Sequence, residues 1–126
     1  MFDPKQNVLV VSAHSADYVW RAGGTIAKYI LHGAKVKVVI LSYGVRGESN
    51  DLWNEPGQTK ENVERIRKEE TLAAAACLGV TDIEFWDYDD YYMELEDPAK
   101  VDRLASLIRT FNPYHKIGRA SCRERV

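Results

Sequence analysis

His14 and Asp17 stand three residues apart directly behind the apolar run Val8-Leu9-Val10-Val11, within the segment Ala13-His14-Ser15-Ala16-Asp17. An imidazole and a carboxylate on one tight turn can converge on a single divalent metal. A nitrogen-plus-oxygen donor pair suits zinc best among the common metals. A histidine at a strand end can instead be purely structural, but the aspartate at +3 and the Gly23-Gly24 that follow favour the ligand reading. The β-branched run reads as a buried parallel strand. Its carboxyl edge is where open α/β folds place ligands and chemistry.

The stretch VLVVSAHSADYVWRAGGTIAKYILHGAKVKVVILSYG, residues 8–44, resembles the opening of the LmbE/PIG-L superfamily, metal-dependent de-N-acetylases of amino sugars and their relatives. That family's usual signature is Ala-His-Pro-Asp-Asp-Glu. Its His and second Asp hold zinc, and its first Asp is the general base. The resemblance therefore implies His14 and Asp17 as metal ligands, with Ser15 in place of the Pro, Ala16 in place of the base and Tyr18 in place of the Glu. An alanine takes no proton, so the deacetylase mechanism lacks its central group. Ala-His-Ser-Ala-Asp followed by Trp20-Arg21-Ala22-Gly23-Gly24, with the later LSYGVRGES of Leu41 to Ser49, is similar to one branch of the superfamily. That branch is the 4-oxalomesaconate hydratases of bacterial gallate and protocatechuate catabolism, lyases that add water across a carbon–carbon double bond. The likeness runs from about residue 7 to 114.

What the resemblance implies is a zinc-dependent hydratase of an unsaturated oxo-tricarboxylate. Glu48 is the replacement acid/base, because the ends of adjacent parallel strands converge on one crevice and Gly44 and Gly47 let the loop turn sharply there. A solvated loop carboxylate is the alternative. Arg21, Arg46 and Ser49 are the candidate substrate-binding residues, since guanidinium groups match carboxylates bidentately; Arg21 can equally be a surface residue at a helix start. Arg67 with Glu70 reads as a structural ion pair. The cluster Asp87-Tyr88-Asp89-Asp90-Tyr91-Tyr92 should line one wall of the crevice, its three carboxylates either marking a second metal or being solvated with the rings folded onto the domain. His115 is not placed like the third ligand, which the family supplies from far downstream. Two other readings stay open: a de-N-acetylase with a relocated base, and a metal- or ligand-binding domain without catalysis.

Residues 116–126, KIGRASCRERV, break the preceding pattern and look like the translation of a sequencing adapter. Residues 1–115 are then the N-terminal part of a LmbE/PIG-L-like domain, and 116–126 a non-native tail excluded from fold reasoning. The tail holds four of the seventeen Lys+Arg and one of the nineteen Asp+Glu, which leaves thirteen against eighteen and a body charge of −5. An acidic body without a basic stripe argues against nucleic acid. No apolar stretch approaches the ~18 residues of a spanning helix, so no membrane partner is expected. The reading is a cytoplasmic enzyme of a small carboxylate substrate, with a homo-oligomer left open. Cys77 in an alanine run and Cys122 in the tail imply no disulfide.

The elements that must position these residues alternate. A strand at about 7–12 precedes a helix from Arg21 to His32, stopped by Gly33, and a second strand at 35–41. A long loop from Ser42 to Gln58 leads to a helix capped by Thr59 and ending at Leu78, with Val63, Ile66, Glu70, Ala73, Ala74 and Cys77 on its packed face. A short strand follows at Asp82–Trp86. Asp97-Pro98 then opens a helix with Val101, Leu104, Ala105, Ile108 and Phe111 inward. The pattern predicts an α/β fold, a Rossmann-like three-layer parallel sheet truncated before its C-terminal half. The first turn lacks Gly-x-Gly-x-x-Gly and so carries no dinucleotide cradle. Without a strand after Phe111, the first strand is expected to keep one edge unpaired, an aggregation hazard.

Overall fold

The computed structural model describes residues 6–45, 49–90 and 94–119. Its elements run β1 (Asn7–Ser12), α1 (Asp17–Leu31), β2 (Lys35–Ile40), α2 (Asn50–Trp53), α3 (Lys60–Leu78), β3 (Asp82–Phe85), α4 (Pro98–Phe111) and β4 (His115–Arg119). The strands form one four-stranded sheet in the order β3-β2-β1-β4, with every pairing parallel. Side chains alternate across a strand, so each face acquires its own core. Val8, Val10, Val36, Val38 and Ile40 pack under Tyr18, Ala22, Ile26 and Tyr29 of α1 and Ala75 of α3. Leu9, Val39, Leu41 and Trp86 face Leu104, Leu107, Ile108 and Phe111 of α4 on the opposite side. The result is the expected three-layer α/β architecture.

Four expectations change. The edge of β1 is paired: β4 lies beside it in register from Val8↔His115 to Ser12↔Arg119. Entry to β4 is fixed by the Tyr114 N–H on Asn7 O at 2.7 Å and by Asn7 Nδ2 on Phe111 O at 2.9 Å. Sequence reading missed this strand because Ile117 is its one strongly apolar residue. An edge strand needs only main-chain pairing and one packed side chain, and polar or charged residues there are tolerated. Ile117 supplies the packing, against the α1 side of the core.

The other three changes are local. Helix α1 starts at Asp17, four residues ahead of Arg21, so Asp17 lies in its first turn. The packed face of α3 is rotated, with Val63, Thr71 and Ala75 buried and Glu70, Ala73 and Cys77 exposed. An alanine run gives little apolar contrast, and the polar Thr71 sits on the buried side. On α4, Val101 is half exposed and Leu107 takes its place against the sheet. Gly79 ends α3 as expected, at φ +88°, where a Cβ would press on Ile30 Cγ2 at 3.1 Å. Among the described residues no helix is long and apolar enough to cross a membrane.

Lys37 on β2 bridges two carboxylates of β3, Asp82 at 3.1 Å and Glu84 at 2.6 Å. Burial works against its ammonium, but the hydrogen bonds to Glu84 and Asp82 outweigh that and raise its pKa. The same ammonium, helped by the Trp86 indole N–H, lowers the pKa of Glu84. Glu84 thus adds stability above its ordinary pKa that is lost as pH falls through the lowered native value. Lys37 adds stability below its ordinary pKa that is lost as pH rises through the raised one. Denaturant titrations of wild type and Lys37→Met should differ by at most about 1 kcal/mol near neutrality, because such half-exposed pairs are screened. That difference should shrink in acid below about pH 4; a constant difference would refute the linkage. Gly118 offers a test of β4, since a Cβ there meets nothing within 4 Å. Gly118→Val should stabilise the chain by a few tenths to about 1 kcal/mol if the strand is formed, as read by the urea midpoint.

Candidate metal and substrate site

The sheet order reverses beside β1: β2 and β3 extend to one side, and the crossover through α4 brings β4 to the other. Ligands of open α/β sheets bind at such a switch point, outside the carboxyl ends of the strands. His14 and Asp17 lie there, 2% and 6% exposed. Asp17 Oδ2 accepts the His14 backbone N–H at 3.1 Å and stands 3.4 Å from His14 Nδ1. Two donors about 2.0–2.2 Å from a tetrahedral zinc stand about 3.4 Å apart, so this pair fits two corners of such a shell. Asp17 also sits in the first turn of α1, where the helix dipole favours a carboxylate.

Serines fix the turn that carries the pair. Ser12 Oγ donates to His14 O at 2.6 Å and accepts the Tyr18 N–H at 3.1 Å. Ser42, just past β2, gives Ala13 O both its hydroxyl at 2.9 Å and its N–H at 3.0 Å. Ser15 Oγ donates to Tyr43 O at 2.9 Å, so its hydroxyl serves as a loop anchor. The aspartates after β3 grip the same loop. Asp87 accepts the Tyr43 hydroxyl, and burial followed by that carboxylate raises the phenol's pKa. Asp90 Oδ1 accepts the Gly44 N–H at 3.0 Å. Gly44 has φ +74°, a conformation glycine adopts without strain. Among the described residues, no three His, Cys, Asp or Glu side chains gather as a metal shell.

The remaining candidates fall around this centre. Ser49 is buried and its hydroxyl donates to Gly44 O, which closes the loop at its base. Arg46 and Glu48 lie outside the described residues, between the buried flanks Val45 and Ser49. Arg21 is exposed on α1, one turn beyond Asp17 on the same helix face. Arg67 and Glu70 form their expected pair at 2.8 Å. His115 pairs with Val8, at the end of the sheet opposite His14, with its ring tilted against that of Tyr29 at 5.7 Å between centroids. Sequence reading missed Ser12 and Ser42; it placed Asp87 and Asp90 at the crevice but not their bonds to Tyr43 and Gly44. The visible signal was a serine closing each of two apolar strands, where a polar side chain must serve the turn.

The sequence profile of the PIG-L family, described as GlcNAc-PI de-N-acetylase, matches residues 9–116. A 4-oxalmesaconate hydratase of Pseudomonas putida is 47% identical over 113 residues, covering 90% of this chain and 43% of the relative. The crystal structure of GalB, the 4-carboxy-2-hydroxymuconate hydratase of Pseudomonas putida KT2440, superposes with a TM-score of 0.83 at 46% identity, covering 88% of this chain and 45% of that one. A probable N-acetyl-alpha-D-glucosaminyl L-malate deacetylase 2 of Bacillus anthracis is 29% identical, over 86% of this chain and 48% of the relative. The chain thus spans less than half the length of these relatives.

Catalytic zinc sites normally use three protein ligands. Zinc should therefore bind this chain with a Kd above about 1 μM, and His14→Ala and Asp17→Asn should each weaken it further. Isothermal titration showing a tight single site, or one indifferent to His14, would contradict the assignment.

Proposed function

The chain belongs to the PIG-L family of GlcNAc-PI de-N-acetylases, and we propose that within it the whole protein is a hydratase of an unsaturated oxo-tricarboxylate such as 4-oxalomesaconate. The observation that carries this is Ala16. It stands between the two candidate ligands, where the resemblance puts the deacetylase base, and its side chain can neither accept a proton nor activate water. The 47% identity to a named hydratase supports the same reading. His14 and Asp17 would hold zinc. Bound there, the metal supplies Lewis-acid polarisation of a substrate oxygen.

The chain's own residues divide the remaining work. Arg21 and Arg46 take substrate carboxylates in bidentate hydrogen bonds, which fix the double bond relative to the crevice. Glu48 moves the proton between water and the substrate. Ser49 supports substrate binding by closing the loop that carries Arg46 and Glu48. We further propose that residues 116–126 are foreign to the natural domain, in keeping with a family match that stops at residue 116. On this reading residues 116–119 occupy the β4 place by main-chain pairing, which demands little of side-chain type, and the whole protein is a cytoplasmic enzyme of a small carboxylate.

The test uses the chain extended to the length of its relatives, assayed for loss of the conjugated substrate's ultraviolet absorbance and, in parallel, for deacetylation of N-acetylated sugars. Hydration is expected and deacetylation is not. Glu48→Gln should retain metal and lose about 10²–10⁴ in rate. Arg46→Lys should mainly raise KM. Deacetylase turnover without hydration would select the de-N-acetylase reading, and neither activity the non-catalytic one.

A further inference from the structure

Three consecutive carbonyls of the turn between β1 and α1 accept side-chain hydroxyls from three separate elements. Ala13 O takes Ser42 and His14 O takes Ser12. Ser15 O takes Thr71 Oγ1 at 2.6 Å, from the middle of α3, 56 residues away in sequence. Thr71 is 3% exposed. A hydroxyl has one proton to donate, and Thr71 gives it to Ser15, so toward Tyr18 the same oxygen accepts. The Tyr18 hydroxyl stands 2.9 Å from Thr71 Oγ1 and 3.2 Å from Thr71 O. Tyr18 is fully buried, and a phenol hydroxyl near neutrality carries its proton and donates. The chain of bonds therefore runs one way, Tyr18 to Thr71 to Ser15.

Its two ends are the immediate neighbours of the candidate ligands: Ser15 follows His14, and Tyr18 follows Asp17. We propose that Thr71 is a positioning residue for the metal turn, which sets the spacing of His14 and Asp17 from a different helix without touching metal or substrate. The inference rests on the reading of those two residues as ligands. Removing the hydroxyl leaves the buried Ser15 carbonyl without its donor, while the Tyr18 phenol keeps only the longer bond to Thr71 O, a penalty that a shift of the turn would relieve. Partners of this kind orient the ligands themselves and tune metal affinity.

The experiment compares Thr71→Val, which removes the hydroxyl at nearly constant volume, with Thr71→Ser, which keeps it. Thr71→Ala serves as a second deletion that suits a helix, should the valine variant not fold. Ala75→Gly, buried one turn further along α3 and without a polar side-chain atom, controls for general loss of stability. Two readouts are taken on the chain itself: hydrogen exchange of the His14 and Tyr18 amides relative to β2 core amides in the metal-free protein, and zinc affinity by competition with a chromogenic chelator. The deletion variants should speed turn exchange about tenfold relative to the core and weaken zinc about 10–100-fold. Thr71→Ser should stay near wild type, and Ala75→Gly should leave the turn-to-core ratio unchanged. A wild-type ratio in Thr71→Val, or the same selective loss in Ala75→Gly, would overturn the proposal. If His14→Ala leaves zinc affinity unchanged, the metal reading fails on its own, and the exchange ratio still decides whether Thr71 holds the turn.

Discussion

β1 is hydrogen-bonded on both sides, to β2 from Asn7↔Lys35 and to β4 from Val8↔His115, and the rest of the molecule follows from that double pairing. Because the chain leaves β1 first toward β2 and later returns beyond it, the helices fall on opposite faces of the sheet. The gap between the two directions opens at the strand's carboxyl end. A turn placed there stands where open α/β sheets take their ligands. Its backbone groups must find partners locally, since unpaired carbonyls at that depth are costly. The serines around His14 answer that requirement, and they make the turn rigid as a by-product.

Ala16 shows how local stability and chemistry separate at one position. It is the N-cap of α1 and makes no side-chain cap bond. Alanine is a poor N-cap, about 1 kcal/mol worse than Ser, Thr, Asp or Asn. The helix start is served instead by its neighbours, with the Tyr18 N–H on Ser12 Oγ and the acidic Asp17 in the first turn. The Ala16 carbonyl still accepts the Val19 and Trp20 N–H groups at 3.1 and 3.2 Å. The backbone of the turn thus does without a carboxylate at this position, whose presence or absence bears on reaction type more than on folding.

The strands β1 and β2, the caps at Thr59 and Asp97 and the stop at Gly79 were legible because each depends on local patterning. The cap geometry follows expectation, with Thr59 accepting the Asn62 N–H and Asp97 the Ala99 N–H. His14 and Asp17 were legible as a close pair because three residues of sequence fix their distance. What escaped reading is tertiary. Thr71 matters through a partner 56 residues away and nothing in its own neighbourhood marks it, while Asp90 is visible in its acidic run but its bond to Gly44, 46 residues away, is not. The rotated face of α3 has the same origin, since an alanine-rich helix leaves a buried hydroxyl to choose its orientation. The strand β4 escaped for the opposite reason, because main-chain pairing writes almost nothing into side-chain type.

That last point has a consequence for how the chain is made. β1 and β4 are separated by roughly a hundred residues, and contacts of such separation form late because loop closure must precede them. At about 5–20 residues per second on a ribosome, the partner of β1 emerges on the order of 5–20 s after β1 itself. Through that interval β2 alone can protect the strand, and its other edge offers a row of open amides and carbonyls to whatever is nearby. The yield of folded protein should therefore respond to synthesis rate and to chaperone supply more than the native fold's stability would suggest.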